Sequence, residues 1–298
     1  MRSMYTTLIS VEQLKALREA KASLMVFDCT FDLMDPASGE KQYLQSHIPG
    51  AVYAHLDEAL SDKGQPDAEG RVQPHADAAS GGRHPLPSRE KFAMWLSSVG
   101  FTNAMQAVVY DRNGANYCGR LWWMLKWAGH DAAAVLDGGL QAWQATGGEV
   151  RSGTEPSHFQ SNFELRAPLR KLVDTKQVAA SLGAGSTSLV DARAPQRFRG
   201  EVEPLDPVAG HIPGALNRPF AQNIGADGRF KPAAQLREEF DQLLAGRDPS
   251  SVVMYCGSGV SAVPNVIGME LAGLPPPGLY AGSWSEWCRT SQLPVEKG

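Results

Sequence analysis

Cys256 closes an apolar run, Val252-Val253-Met254-Tyr255, and precedes the small-residue stretch Gly257-Ser258-Gly259-Val260-Ser261-Ala262. Ser261 and Pro264 then open a helical pattern that continues to Leu271. A thiol between a buried strand and a helix N-terminus lies inside a ring of backbone N–H groups, where negative charge is favoured. The thiolate is the nucleophilic form of cysteine, so this arrangement predicts a nucleophilic or sulfur-carrying side chain. Glycines at 257 and 259 let the backbone turn tightly. The N–H groups of Gly257, Ser258, Gly259, Val260 and Ser261 can then converge on an outer sulfur as an oxyanion cradle does. The Ser258 hydroxyl can donate to the thiolate or relay a proton, and Ser261 also fits a plain helix cap.

A second candidate is Arg197, in Arg197-Phe198-Arg199-Gly200, whose guanidinium could clamp a carboxylate or sulfonate with two parallel hydrogen bonds. Arg193 stands beside Asp191 and is expected to pair with it structurally. Cys29, Cys118 and Cys288 lack the glycine-rich cradle and read as inert thiols. A cysteine phosphatase would need a longer loop closed by an arginine, and none follows Cys256 here. With no Cys-x-x-Cys pair and no histidines at zinc spacing, neither a metal nor a cofactor is expected.

The elements that must position these groups recur twice along the chain. His47-Ile48-Pro49-Gly50-Ala51 matches His211-Ile212-Pro213-Gly214-Ala215, and Gly82-Arg83-His84-Pro85 matches Gly228-Arg229-Phe230-Lys231-Pro232. Val108-Val109-Tyr110-Asp111 matches Met254-Tyr255-Cys256, so Asp111 stands where the repeat would put a cysteine. Asp111, Asn113, Gly114 and Asn116 form that counterpart loop. Leu136-Asp137-Gly138-Gly139 with Trp143 matches Leu279-Tyr280-Ala281-Gly282 with Trp287. The first copy is longer between Ala51 and Gly82, where the polar run from Ser61 to Ala79 reads as a surface excursion.

Within each half, apolar runs (24–27, 107–110, 134–136; 188–190, 252–255) alternate with helical patterns (11–20, 90–99, 120–128; 174–182, 233–244, 262–271). Continuous apolar strands between helices predict an α/β fold with two similar domains, each a central, mainly parallel sheet flanked by helices. The expected division is an N-terminal domain over 1–149, a linker over 150–168 lying along the surface, and a C-terminal domain over 169–298. Chemistry in such folds sits at the carboxyl ends of strands, which is where Cys256 falls.

The chain has 298 residues, 43% of them hydrophobic and 20% charged, with a net charge of −4. That balance suggests neither nucleic acid nor an anionic membrane as partner. No apolar run is long enough to span a bilayer, and the N-terminus lacks an apolar signal core. Four cysteines in so long a chain are no disulfide framework, which fits a reducing, cytoplasmic setting.

Together, the paired His-Ile-Pro-Gly-Ala segments, the Asp191-x-Arg193 with Arg197-Phe198-Arg199-Gly200, the Leu-Asp-Gly-Gly and Trp pattern and the Cys256 loop resemble the tandem-domain rhodanese-like sulfurtransferases. The likeness covers nearly the whole chain and implies two rhodanese-like domains, the first catalytically silent and the second carrying the active cysteine. It implies transfer of a sulfane sulfur from a small anionic donor, through a Cys256 persulfide, to a thiol such as thioredoxin, a low-molecular-weight thiol, or cyanide. The Gly and Ser after the cysteine are similar to the 3-mercaptopyruvate branch. Glu203-Pro204 is followed by Leu205 where that branch places an arginine, which keeps thiosulfate open as the donor. A non-catalytic sulfur-binding module is the alternative from another class. The resemblance also carries over Arg197 as the arginine that reaches the substrate, and His47 as a first-domain histidine in a relay His47–Ser258–Cys256, oriented by Asp35 or Glu40.

Overall fold

The computed structural model describes residues 4–66 and 72–298. Gln106–Tyr110 and Val252–Tyr255 are buried along their whole length, and each is the central strand of a five-stranded parallel sheet. The first sheet runs Leu8–Ile9, Ala133–Leu136, Gln106–Tyr110, Leu24–Asp28, Val52–Tyr53. The second runs Leu172–Val173, Gly278–Tyr280, Val252–Tyr255, Ser188–Asp191, Leu216–Asn217. Taken in chain order within each half, both sheets follow one order: first, fifth, fourth, second, third. The sequence repeat is therefore a repeat of topology. Parallel neighbours require crossover connections, and helices supply most of them.

Local chemistry sets the helix ends. Ser10 and Asp174 each cap a helix by a reciprocal box with a glutamine three residues on, over Val11–Glu19 and Thr175–Ser181. Ser88 caps Arg89–Ser98. Helix Cys118–Trp127 is buried on every side, as a helix inside a layered α/β fold must be. The cores are built alike, from Val26, Val108, Tyr110, Leu136 and Trp143 in one half and Leu189, Val253, Tyr255, Tyr280, Trp284 and Trp287 in the other. The tryptophans are packing residues. Trp284 is fully buried, its indole N–H donating to the Val208 carbonyl.

The chain forms two compact units that are not continuous in sequence. One comprises Met1–Ser61, Pro87–Leu169 and Ile224–Phe230; the other comprises Asp62–Leu86, Arg170–Asn223 and Lys231–Gly298. The polar excursion expected to decorate the first domain thus belongs to the second unit. There, Lys63–Pro66 and Val72–Pro74 pair as an antiparallel hairpin. The segment 150–168 runs along the first unit: His47 and Arg151 exchange backbone hydrogen bonds, and Phe163 packs on Phe101. Among the described residues no helix is long and apolar enough to cross a membrane.

In the second unit a polar network holds helix Ala233–Leu244 to helix Val263–Leu271. Arg218 reaches Asn223 and Glu239, and the Asn223 amide donates to the side-chain carbonyl of Asn265. Burial alone would raise the Glu239 pKa, but hydrogen bonds from Lys231, Arg218 and Gln235 outweigh it and hold the group down to about 2. A carboxyl with a depressed folded-state pKa contributes stability above its unfolded value, lost as pH falls through the folded one. In urea titrations, wild type should therefore lose its advantage over Glu239→Gln as pH falls from about 4.5 toward 2. A difference independent of pH across that window would contradict the pairing.

Candidate active site

Cys256 follows the central strand of the second sheet and is 2% exposed. Its peptide is fixed from the neighbouring turn. The Cys256 N–H donates to Ser283 Oγ (3.1 Å), Trp284 N–H donates to the Cys256 carbonyl (3.0 Å), and Ser285 N–H donates to that of Gly257 (2.9 Å). Gly259 has φ +74°, and a Cβ there would run into the Ala281 carbonyl, so only glycine fits. Helix Val263–Leu271 then begins with Pro264 in its first turn and Ala262 as its cap residue. The cap expected of Ser261 is not made, because the helix starts one residue later. Among the described residues no protein acceptor takes the backbone N–H groups of Gly257, Ser258, Val260, Ser261 or Ala262.

The sister loop shows what such a ring of donors does. Asp111 follows the matching strand of the first sheet and is buried. Its carboxylate accepts from the N–H groups of Asn113 (2.8 Å), Ala115 (3.1 Å), Tyr117 (2.8 Å) and Cys118 (2.9 Å). A carboxyl group thus fills the cradle at the position the repeat assigns to a cysteine. The cavity beside it, walled by Gly114, Gly138, Ile224 and Phe230, measures only about 10 Å³.

The Ser258 hydroxyl meets a histidine, but not His47. Its partner is His84 Nδ1, at 2.8 Å, and both residues are buried. Both ring nitrogens of His47 are occupied elsewhere: Nδ1 by the Tyr43 carbonyl (2.8 Å) and Nε2 by Glu155 (3.2 Å). Its ring stacks on Tyr43 at 4.1 Å, and Glu155 also accepts from Gly50 N–H. The second copy repeats this arrangement. His211 Nδ1 faces the Phe198 carbonyl, its ring stacks on Phe198 at 3.7 Å, and Glu296 takes the Gly214 N–H. Two histidines making the same contacts in both copies are structural staples, and neither ring nitrogen of His47 is left for a proton relay in this structure. Glu155 holds the place proposed for Asp35 or Glu40. His84 carried a sequence signal only as part of Gly82-Arg83-His84-Pro85, the near edge of the excursion.

Arginines and carboxylates surround the loop. Arg193 is buried, pairs with Asp191 at 2.6 Å and lies over the Trp284 ring, as its place beside Asp191 suggested. Arg197 pairs with Glu203 (2.6 Å) and lies 3.6 Å from Asp206. Its guanidinium nitrogens stand 3.5 and 3.6 Å from where a Cβ on Gly257 would lie, which places this cation at the loop. Burial and neighbouring carboxylates push the Cys29 and Cys118 thiols up, and burial pushes Cys288 up to about 11. These three are protonated and unreactive at neutral pH. Among the described residues no cluster of His, Cys, Asp and Glu is arranged to hold a metal ion.

The rhodanese-like domain family matches the chain twice, over residues 10–146 and 174–290. A Pseudomonas aeruginosa protein named "Probable 3-mercaptopyruvate sulfurtransferase" is 44% identical, covering 98% of both chains. Thiosulfate/3-mercaptopyruvate sulfurtransferase 1 of Arabidopsis thaliana is 31% identical, over 97% of this chain and 77% of its own. The solved 3-mercaptopyruvate sulfurtransferase from Leishmania major superposes with a TM-score of 0.79 at 28% identity, over 97% of this chain and 76% of that one.

Removing the Asp111 carboxylate would strand its donors in a buried site. Asp111→Ala should lower the unfolding free energy by about 3 kcal/mol, measured by denaturant titration. A loss under about 0.5 kcal/mol, the usual scale of surface substitutions, would show that the carboxylate does not hold this loop.

Proposed function

The chain belongs to the rhodanese-like family, as a sulfurtransferase built from two such domains, and from that premise we propose that it carries sulfur from 3-mercaptopyruvate, through a persulfide on Cys256, to a thiol. The observation that carries this reading is the run of amides after Cys256 (Gly257, Ser258, Val260, Ser261 and Ala262) that no protein acceptor takes among the described residues, while the counterpart loop in the first unit grips a carboxylate. Such a ring stabilises negative charge without reorganising as the charge appears.

In the proposed first half-reaction the Cys256 thiolate attacks the donor's sulfur. The S–S bond forms, the C–S bond breaks, and its electron pair leaves with pyruvate as the enolate. The donor's thiol proton passes through Ser258 and His84 to the enolate carbon, which leaves pyruvate and a persulfide anion on Cys256. The amide ring then holds the outer sulfur. In the second half an acceptor thiol attacks that sulfur, forming its own persulfide and regenerating the Cys256 thiolate. Thioredoxin and low-molecular-weight thiols are the proposed acceptors, and cyanide would leave as thiocyanate. Arg197 is the proposed ligand of the donor's carboxylate. Thiosulfate is a second candidate donor, releasing sulfite, and the name of the Arabidopsis relative favours testing it.

Steady-state assays with 3-mercaptopyruvate and thiosulfate test the reading. Cys256→Ala should abolish turnover of both donors, and mass spectrometry of wild type after donor exposure should find one added sulfur on the Cys256 peptide. Retained turnover in Cys256→Ala would sink the proposal. His84→Ala and Ser258→Ala should each cut kcat by roughly 100-fold or more, the scale of proton-transfer catalysis. His47→Asn should leave kcat within about threefold while lowering stability; the reverse pattern would return the relay to His47.

A further inference from the structure

We infer that a recess in the first unit binds a small quaternary ammonium ion, held against aromatic faces by two carboxylates. Glu40, Tyr53, His55, Glu58, Ala59 and Trp95 wall this cavity of about 400 Å³. All six belong to the unit without Cys256, so the site does not depend on the reading given to that cysteine. The walls are fixed by packing. Gly39 lets helix Pro36–Gln45 lie close, since a Cβ there would collide with the Thr30 carbonyl and the Tyr53 hydroxyl, and this approach brings Glu40 to the recess. The Tyr53 hydroxyl donates to the Thr30 carbonyl (3.0 Å), and its ring stacks on Tyr43 at 5.3 Å. The His55 ring stands edge-on to Tyr53 and to Phe31, at 5.9 and 5.4 Å. Trp95 is half-buried and stacks on Phe92.

The charge of the recess has one sign. No lysine or arginine lines it. Glu40 and Glu58 are exposed, and among the described residues neither side chain makes a hydrogen bond or an ion pair. Their charge reaches inward: burial pushes the Tyr53 phenol up, and Asp28, Glu40 and Glu58 push it the same way. Among the described residues no three His, Cys, Asp or Glu side chains are arranged to hold a metal ion, so Glu40, His55 and Glu58 do not make a metal site. The neutral polar atoms of the walls are committed. The Tyr53 hydroxyl serves Thr30, and His55 Nδ1 accepts the Asp57 N–H (3.1 Å). A cation that keeps N–H groups would lose their hydration here, whereas a methylated ammonium has none to lose and is drawn to aromatic faces.

The repeat separates what the fold needs from what this recess adds. Ala51 matches Ala215, so Tyr53, His55 and Glu58 correspond to Asn217, Pro219 and Gln222. The strands agree: Tyr53 stands opposite Asp28 as Asn217 stands opposite Asp191. The Asn217 amide donates to the Arg193 carbonyl (2.9 Å), the counterpart of the Thr30 carbonyl that Tyr53 takes. An amide therefore suffices for the shared structural duty. The aromatic faces and the carboxylate at 58 are carried by the first copy alone, beyond what the common fold requires.

Ligand-observed NMR titrations of the full chain, at ionic strength held constant with sodium chloride, compare choline with 3,3-dimethylbutanol, in which carbon replaces the charged nitrogen. Choline should bind with a Kd on the order of 1 mM, and the neutral alcohol at least about 10-fold more weakly. The choline methyl protons should move upfield on binding, because they would sit over ring faces. Glu40→Gln combined with Glu58→Gln should raise the choline Kd by about 10-fold. Both side chains are exposed, so the fold tolerates the change, and the second copy already carries glutamine at the position matching 58. Equal binding of the two ligands overturns the inference, since a merely apolar recess would give that result. Unchanged affinity in the double variant, methyl protons that do not move upfield, or no saturable choline binding up to about 50 mM each overturn it as well.

Discussion

A closed ring of main-chain N–H groups at the end of a buried strand must face negative charge. Each such donor left unmatched inside the protein costs on the order of 1–3 kcal/mol, so the loop cannot simply stand empty of an acceptor. The two halves of the chain meet this demand differently. In the first, the Asp111 carboxylate takes four donors and the space beside it has closed. In the second, the matching position holds Cys256, the proposed carrier of the transferred sulfur. In the proposed reading, one loop design serves as a structural clasp in the first copy, with Asp111 at the strand end, and as a reactive cradle in the second, with Cys256 there.

Much of this was legible because it depends on neighbours in sequence. The cradle needs small residues immediately after the cysteine, and Gly257, Ser258 and Gly259 announce it. The central strands and the helices over 233–244 and 263–271 follow from unbroken apolar runs and 3.6-residue periodicity. The two-residue edge strands Leu8–Ile9, Val52–Tyr53, Leu172–Val173 and Leu216–Asn217 carry no such signal, because a pair of residues has no period. Helix Pro36–Gln45 is hidden in the sequence because Ser38, Gly39, Lys41 and Gln42 leave it little apolar face.

The site residues divide along the same line. Arg193 was readable from Asp191 two positions away, and the contact exists. His84 was not, since 174 residues separate it from the serine it meets. The relay role of His47 comes from the family resemblance and not from its motif; the motif encodes a turn clamp, visible once His211 is seen making the same stack and carbonyl contact. Ser261 looked like a cap because serine before an apolar helix usually is one, but Pro264 permits a start at Val263 with Ala262 as the cap.

The excursion 62–86 is where topology and chemistry join. The repeat pairs two short straps, Gly82–Pro85 with Gly228–Pro232; Gly82–Pro85 lies in the unit that carries the Cys256 loop, and Gly228–Phe230 in the unit that carries the Asp111 loop. Phe230 N–H donates to Asp137 beside the Asp111 loop, and Arg83 N–H donates to Ser285 beside the Cys256 loop. What differs is the load. One strap brings a phenylalanine that helps wall a nearly closed space, and the other brings a cation followed by a histidine bonded to the cradle serine. Buried carboxylates beside Arg197, the proposed ligand of the donor's carboxylate, look counterproductive until their effect on the arginines is considered. An arginine side chain loses roughly 2 kcal/mol of rotamer freedom when immobilised. Asp206 and Glu203 accept hydrogen bonds or close charge contacts from Arg83, Arg197 and Arg289 before any ligand arrives. That ordering is then already complete in the folded protein, so the guanidiniums are held in place in advance of the proposed ligand. The same carboxylates cancel most of the positive charge, so the cluster does not repel itself apart.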